Sequence, residues 1–333
     1  MTFPFKNFGV VGAGAWGTAL AVTLQRAGRD VALWARREEL RAVMAERREN
    51  VVYLPGIGLS PDIKITGNLA DFAGCHALIL ASPAQHLRSL CKALAPCLGT
   101  AFVPLIIASK GIELTTYRLM SEIVAQELPG HPIFVLSGPS FAIEVAQNRP
   151  AALTLSGESG GENLALAMSS PTFRLYTTDD IIGAQIGGAV KNVLAIACGI
   201  VSGRALGENA RAALITRGLA EIMRLGTALG ARAETLMGLS GLGDVVLTCS
   251  STQSRNMSLG FSLGQGRDLI EILATRKGVT EGISTAVAAL GLARRHGIEM
   301  PVTAAVDLIL REKTGIDESI TALLSRPLRN ETV

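Results

Sequence analysis

The sequence predicts an α/β domain built on a mainly parallel sheet, followed by an all-α domain. Three observations carry this. Short β-rich apolar runs alternate with helical segments through the first half, helix follows helix after about Gly187, and Gly12, Gly14 and Gly17 stand in G-x-G-x-x-G spacing between the first strand and first helix. A chain of 333 residues, with 48% hydrophobic and 18% charged residues, buries a large core and divides more naturally into two domains than one. The expected division is a dinucleotide-binding domain over residues 1–188 and a helical substrate-binding domain over 189–333.

Taken in order, "NFGVVGAGAWGTALAVTLQRAG" reads as a strand, a glycine turn and an amphipathic helix ending near Gly28. "DVALWARR" is the second strand. The runs "HALILAS", "AFVPLIIASKG" and "PIFVLSGPS" alternate with the helical segments "AQHLRSLCKALAPCLG" and "TTYRLMSEIVAQELPG", and "AALTLSG" and "FRLYTTDD" add strands. Such alternation covers both faces of a sheet with helices. "ARAALITRGLAEIMRLGTALG" and "TAVAALGLARRHG" then belong to the helical half, and one helix shared at the junction contains Lys191. There is no long repeat, low-complexity tract or heptad array.

Composition removes several function classes. A net charge of +3, from 31 Lys+Arg against 28 Asp+Glu, does not mark a nucleic-acid binder and would not repel a small anionic substrate. Cys75, Cys91, Cys97, Cys198 and Cys249 are odd in number and form no C-x-x-C pair, which argues against a disulfide framework and for a reducing cytoplasm. Four histidines without clustering suggest no metal site. The N-terminal "MTFPFKNFGVVGAG" reads as the first folded element rather than a signal peptide, and apolar runs broken by charges imply a soluble chain with no integral membrane segment.

The glycine motif is weak alone in a chain with 36 glycines, but its placement gives it meaning. Glycines at a strand-to-helix turn let a pyrophosphate approach while helix N–H groups point at it. At the end of the second strand, "LWARREEL" places Arg36 and Arg37 where an acidic residue would hold a ribose 2′-hydroxyl. Guanidiniums there suit a 2′-phosphate, so NADP(H) is expected to bind at least as well as NAD(H); the alternative is a solvated helix start. Ala15 and Trp16 lie in the turn, where the indole either covers the cofactor or staples the helix to the sheet.

Polar residues cluster beyond predicted strands, the ligand-binding end of such sheets: Lys110 in "ASKG", and Gly138 and Ser140 in "SGPSFAIEV". In "LSGLGDVVLTCSSTQSRN", Asp244 and Thr248 are four apart and share a helical face. Arg255 in "SRN" is suited to grip a phosphate, with Asn256 capping the following helix; an ordinary cap with an exposed arginine is the plainer alternative. Lys191 in "GGAVKNVLAIACGI" poses a sharper choice. It either snorkels to water or is desolvated and tuned as an acid/base.

In order along the whole chain, "VVGAGAWGTALA", "SKG", "SGPSFAIEV", "GGAVKN", "ARAALITRGLAE", "GLGDVVLTC", "SRN" and "VTEGIST" resemble the bacterial NAD(P)-dependent glycerol-3-phosphate dehydrogenases. The resemblance implies a Rossmann-like N-terminal domain, a helical C-terminal domain and a site in the cleft between them. It implies Lys191 as proton donor and acceptor, acting with Asp244 and Lys110. It also implies substrate contacts from Lys110, Gly138, Ser140, Asp244, Thr248, Ser254, Arg255 and Asn256. Cofactor contacts would fall on Ala15, Trp16, Arg36, Lys110, Ala142, Arg255, Val279 and Glu281, to which the spacing adds Gly12, Gly14, Gly17 and Arg37. "LASPAQHL" departs from the family pattern, with Ser82 before Pro83 where relatives often read Pro-Ser. The implied activity is reversible reduction of dihydroxyacetone phosphate, supplying the glycerophospholipid backbone, by a cytoplasmic homodimer. A 6-phosphogluconate-type dehydrogenase and a non-catalytic dinucleotide sensor are the rival readings.

Overall fold

The computed structural model describes residues 5–99, 102–157, 161–276 and 278–327. The chain begins β1 (Asn7–Val11), α1 (Ala15–Arg26), β2 (Asp30–Trp34), α2 (Glu38–Arg47), β3 (Lys64–Thr66), β4 (Ala77–Leu80), α3 (Leu87–Leu98) and β5 (Leu105–Ile107). It continues with α4 (Met120–Glu127), β6 (Ile133–Ser137), α5 (Ala142–Ala146), β7 (Ala151–Gly157), α6 (Gly161–Met168) and β8 (Phe173–Thr178). The eight strands form one sheet in the order β3-β2-β1-β4-β5-β6-β7-β8. All neighbours are parallel except β6 and β7, which run antiparallel from Phe134↔Gly157 to Ser137↔Thr154.

The central strands are apolar throughout because both faces are covered. Along β1, Val10 enters a core with Leu20, Leu33 and Leu136, while its neighbour Val11 enters the core of the opposite face with Leu80, Leu87 and Leu94. β1 lies between β2 and β4, so the chain leaves it in one direction along the sheet and later returns on its other side. The carboxyl ends of β1 and β4 thereby frame the crevice in which such sheets hold ligands.

α4 starts at Met120, later than the helical pattern of "TTYRLMSEIVAQELPG" suggests. Tyr117 adopts a left-handed conformation, φ 59°, and the Glu122 carboxylate accepts the Leu119 amide at 2.6 Å, which sets the helix start after both.

Beyond β8 the chain is helical: α7 (Ile181–Gly203), α8 (Glu208–Ala228), α9 (Ala233–Leu236), α10 (Asp244–Cys249), α11 (Arg255–Gly264), α12 (Leu269–Ala274), α13 (Glu281–Arg295), α14 (Pro301–Leu310) and α15 (Ile316–Leu324). α7 is the axis of this half. Its 23 residues are apolar enough on average and long enough to cross a membrane, but 89% of the most apolar stretch is buried inside the protein. α8, α10, α11 and α13 pack around it.

The crossing of α7 and α11 is the closest of these contacts, and small residues permit it. A Cβ on Gly199 would lie 2.2 Å from the Met257 carbonyl oxygen, and one on Gly260 would lie 2.0 Å from that of Ile196. Gly203 and Gly264, one turn further along each helix, meet in the same way. This contact places the N-terminus of α11 beside the middle of α7, where Lys191 and Asn192 stand.

Candidate active site

Two of the three glycines in the turn between β1 and α1 are required sterically. Gly12 sits at φ 127°, and a Cβ there would meet the Ala81 carbonyl oxygen at 2.7 Å. A Cβ on Gly17 would overlap the Gly12 carbonyl oxygen at 1.9 Å, so the helix can approach the strand only with glycine. Above Gly14 there is nothing within 4 Å. Gly14 caps α1 without a side chain, which leaves the first amides, starting at Ala15, directed at open space. These features fit a dinucleotide pyrophosphate. Trp16 is half-buried beside them, and its indole N–H has no partner among the described residues.

At the carboxyl end of β2, Arg36 and Arg37 are both exposed. Arg37 caps α2, donates to the Tyr53 hydroxyl at 2.9 Å and lies 5.5 Å from the centre of that ring. Arg36 makes no ion pair among the described residues, so the alternating charges of α2 do not consume it.

The second constellation gathers around one carboxylate. Asp244 is the first residue of α10, fully buried after a π-helical turn at Leu239–Gly243. Lys191 donates to its Oδ1 at 2.5 Å, and Lys110 donates to its Oδ2 at 2.7 Å. Lys191 also donates to Thr248 Oγ1 at 2.8 Å, one turn along α10 from Asp244. Lys110 is anchored on the Gly138 carbonyl at 3.0 Å, which also accepts the Ser140 hydroxyl at 3.1 Å.

The two glycines before Lys191 explain how groups from both halves converge. A Cβ on Gly187 would come within 2.5 Å of the Ser240 carbonyl oxygen, and one on Gly188 within 2.6 Å of Ser137 Oγ. Without side chains there, α7 lies against the turn that carries Asp244 and against the end of β6. Lys191, on the same helical face, is delivered to the point where they meet.

Lys191 is only 7% exposed, so it does not snorkel into water. Burial disfavours its charge most strongly, the Asp244 carboxylate opposes that effect, and the Lys110 charge adds to it. Desolvation wins, bringing the ammonium down to about 8.

At the opposite end of the cleft, Ser254 rather than Asn256 caps α11, with its hydroxyl accepting the Met257 amide at 3.3 Å. The expectation that Asn256 would cap is therefore corrected. Ser254 is the last extended residue before the helix, whereas Asn256 already lies inside the first turn and turns towards α7. There its amide donates to Asn192 Oδ1 at 2.8 Å, and its oxygen accepts the Gly282 amide at 3.0 Å. Arg255, the first helical residue, reaches the rim of the cleft beside the unpaired amides of the first turn.

Glu281 joins the two halves. It opens α13, and its Oε1 accepts the Ala84 amide at 3.0 Å in the loop after β4. Burial raises its pKa, and Oε2 has no partner among the described residues. In the same loop, the buried Ser82 hydroxyl has no partner among the described residues, while the Ser82 carbonyl accepts the Ser109 hydroxyl at 2.6 Å. Val279 is exposed, and Ala142 opens α5, which packs on α1.

The structure thus connects Lys110, Gly138, Ser140, Lys191, Asp244 and Thr248 directly, and links Asn256 to them through Asn192. The glycine turn, Arg36 and Arg37 lie apart from this cluster, beyond the carboxyl ends of β1 and β2. Asn192 was not among the expected site residues. Its signal was present, a second buried polar side chain immediately after Lys191 in the same apolar run.

A parallel sheet with this glycine turn, and a tuned lysine held by a buried aspartate across the cleft, define a dinucleotide-dependent dehydrogenase. The chain belongs to the NAD-dependent glycerol-3-phosphate dehydrogenase family: the family's N-terminal model matches residues 7–162 and its C-terminal model residues 180–321. It is 52% identical over 334 residues to glycerol-3-phosphate dehydrogenase (NAD(P)+) of Parvibaculum lavamentivorans, covering 100% of both chains. It is 54% identical over 329 residues to the protein of the same name from Caulobacter vibrioides, covering 98% of this chain and 99% of that one. The crystal structure of glycerol-3-phosphate dehydrogenase from Coxiella burnetii superposes with a TM-score of 0.93 at 38% identity, covering 97% of this chain and 100% of that chain.

Proposed function

We infer that the chain reduces dihydroxyacetone phosphate to sn-glycerol 3-phosphate with NAD(P)H, reversibly, and so supplies the backbone of glycerophospholipids. The observation that carries the reading is the single buried carboxylate of Asp244 shared by Lys191 and Lys110. When bound, the nicotinamide exchanges a hydride with the substrate's C2. The chain's own residues deal with the charge this creates on the C2 oxygen.

Lys191 donates a proton to that oxygen during reduction and takes it back, as the neutral amine, during oxidation. A pKa near 8 makes it a far better acid at neutral pH than an ordinary lysine near 10.5. Asp244 and Thr248 fix the direction of its Nζ. Lys110, held by Asp244 and the Gly138 carbonyl, presents a second positive charge to the developing alkoxide. Ser140 lies beside it as a substrate contact. Ser254 presents the α11 N-terminus, and Arg255 with the amides there holds the phosphate, converting remote binding energy into orientation at C2. Asn256 keeps this end in register with α7. Gly12, Gly14, Ala15, Trp16, Gly17, Ala142, Val279 and Glu281 form the dinucleotide side of the cleft.

Arg36 and Arg37 favour NADPH at least as much as NADH, since both are solvent-facing guanidiniums at the end of β2 and Arg36 makes no ion pair among the described residues. The nucleotide-binding and substrate-binding parts meet at residues 188 and 189, within α7. Gly187 and Gly188 touch the sheet end and the Asp244 turn, and later residues enter the helical core. Action in the cytoplasm is supported by five free cysteines. Assembly as a homodimer is supported by the family resemblance.

The decisive experiment mixes purified protein with dihydroxyacetone phosphate and follows loss of the reduced nicotinamide, in parallel for NADPH and NADH. Substrate-dependent oxidation of both, with NADPH at least as fast, is expected. Binding of NADPH without consumption would identify a sensor, and activity only with 6-phosphogluconate would move the chain to that class.

A further inference from the structure

Outside the residues already assigned, Arg276 lies against the first turn of α11 and forms no ion pair among the described residues. Arg276 lies between α12 and α13. Its Nη1 donates to the Arg255 carbonyl at 2.7 Å, and its Nη2 donates to Ser258 Oγ at 3.0 Å. Both acceptors belong to the first turn of α11. The same loop also presses on the Arg255 side chain, since a Cβ on Gly278 would lie 2.4 Å from Arg255 Nη1. Residues 276 and 278 therefore hold Arg255 by its carbonyl and by its guanidinium.

The electrostatics point in the same direction. Arg276 is half-buried, it forms no ion pair among the described residues, and the charges nearest to it are those of Arg255 and Arg267. Burial and these two cations all weigh against its own charge. Glu281 is the carboxylate facing Arg255. Two neighbouring guanidiniums at a helix N-terminus, one exposed and one half-buried, suit a dianionic phosphate through charge-assisted hydrogen bonds.

We propose that Arg276 is a positioning residue of the substrate-phosphate site: it clamps Arg255 against the first turn of α11 and adds a second cation that selects a phosphorylated over an unphosphorylated ketone. The assignment rests on the dihydroxyacetone phosphate reading above. Lysine can keep the charge and one hydrogen bond, but not the fork that reaches both the carbonyl and Ser258.

The test compares wild type, Arg276→Ala and Arg276→Lys by kcat and KM for dihydroxyacetone phosphate, KM for NADPH, and kcat/KM for dihydroxyacetone as the phosphate-free probe. In Arg276→Ala, KM for dihydroxyacetone phosphate is expected to rise about tenfold, the loss of roughly one charge-assisted hydrogen bond. The ratio of kcat/KM for the phosphorylated over the free ketone should fall by about the same factor, with Arg276→Lys recovering at least half of the effect on a logarithmic scale. Proportional loss on both ketones with an unchanged ratio would reduce Arg276 to a structural role and overturn the proposal. A rise confined to the KM for NADPH would assign the cluster to the dinucleotide and overturn it too. Failure of wild type to turn over dihydroxyacetone phosphate refutes the underlying function instead, so the two failures are separable.

Discussion

At Lys191 two effects of opposite sign meet on one nitrogen. Burial and Lys110 lower its pKa while Asp244 raises it, and the outcome near 8 makes the protonation state respond to pH just above neutrality. Reduction needs the ammonium, so its kcat should be level below about pH 8 and decline above it; oxidation needs the amine and should rise through the same range to a plateau. Replacing Asp244 by Asn removes the influence that raises the pKa and should move both inflections to lower pH. Lys110→Met removes a neighbouring cation and should move them higher. Shifts in the same direction for the two variants would contradict the balance described here. Lys191→Ala should lose about 10²- to 10⁴-fold in kcat with NADPH affinity within about twofold, measured by steady-state kinetics and fluorescence titration. Lys191 was conspicuous in the sequence as a charge in an apolar run. The direct Asp244 contact and its failure to cancel desolvation were not, because both depend on groups 53 residues apart meeting in space.

On the scale of elements, the α7 and α11 pair sets the distance between Lys191, the proposed proton donor, and Arg255, the proposed phosphate contact. Lys191 and Asn192 are on α7, Ser254, Arg255 and Asn256 begin α11, and the four glycines of the crossing keep the two backbones together. A methyl group on Gly260 has backbone atoms on its path and cannot be relieved by a side-chain rotation. Gly260→Ala should cost about 1–3 kcal/mol, lower the thermal midpoint by about 3–10 °C, and raise KM for the phosphorylated substrate because Arg255 is displaced. Gly74→Ala, where a Cβ meets nothing within 4 Å, is the control and should leave both unchanged. α7 was legible as an apolar run at the junction, and α11 only as the helix following the cap signal in "SRN". Their caps were legible only in part: Ser254 and Asn256 are both good capping residues, and which one caps follows from where the turn enters the helix.

Across the whole molecule, the nucleotide end and the lysine cluster lie at the same edge of the sheet, and Glu281 ties that edge to the helical half through the Ala84 amide. Among the described residues neither Arg36 nor Arg37 touches Lys191, Lys110 or Asp244, so changing them should leave the lysine cluster intact. Changing both Arg36 and Arg37 to Ser should raise KM for NADPH about tenfold or more while KM for NADH stays within about twofold, because only the former offers a 2′-phosphate. Equal rises for the two cofactors would place the arginines on a part common to both and contradict the 2′-phosphate reading, and unchanged values for both would leave them a wet surface.

From the sequence alone came the α/β then all-α order, the glycine turn with its dinucleotide, and the family membership. These depend on local periodicity, on the steric demands of glycine and on motifs contiguous in the chain. Tertiary structure alone decided that Lys191 and Lys110 share Asp244, that Asn192 rather than a cap governs Asn256, and that Arg276 holds Arg255. Each of these is a contact between separate elements, and its energy depends on burial and on which partner fills the space, quantities that exist only after the chain has packed.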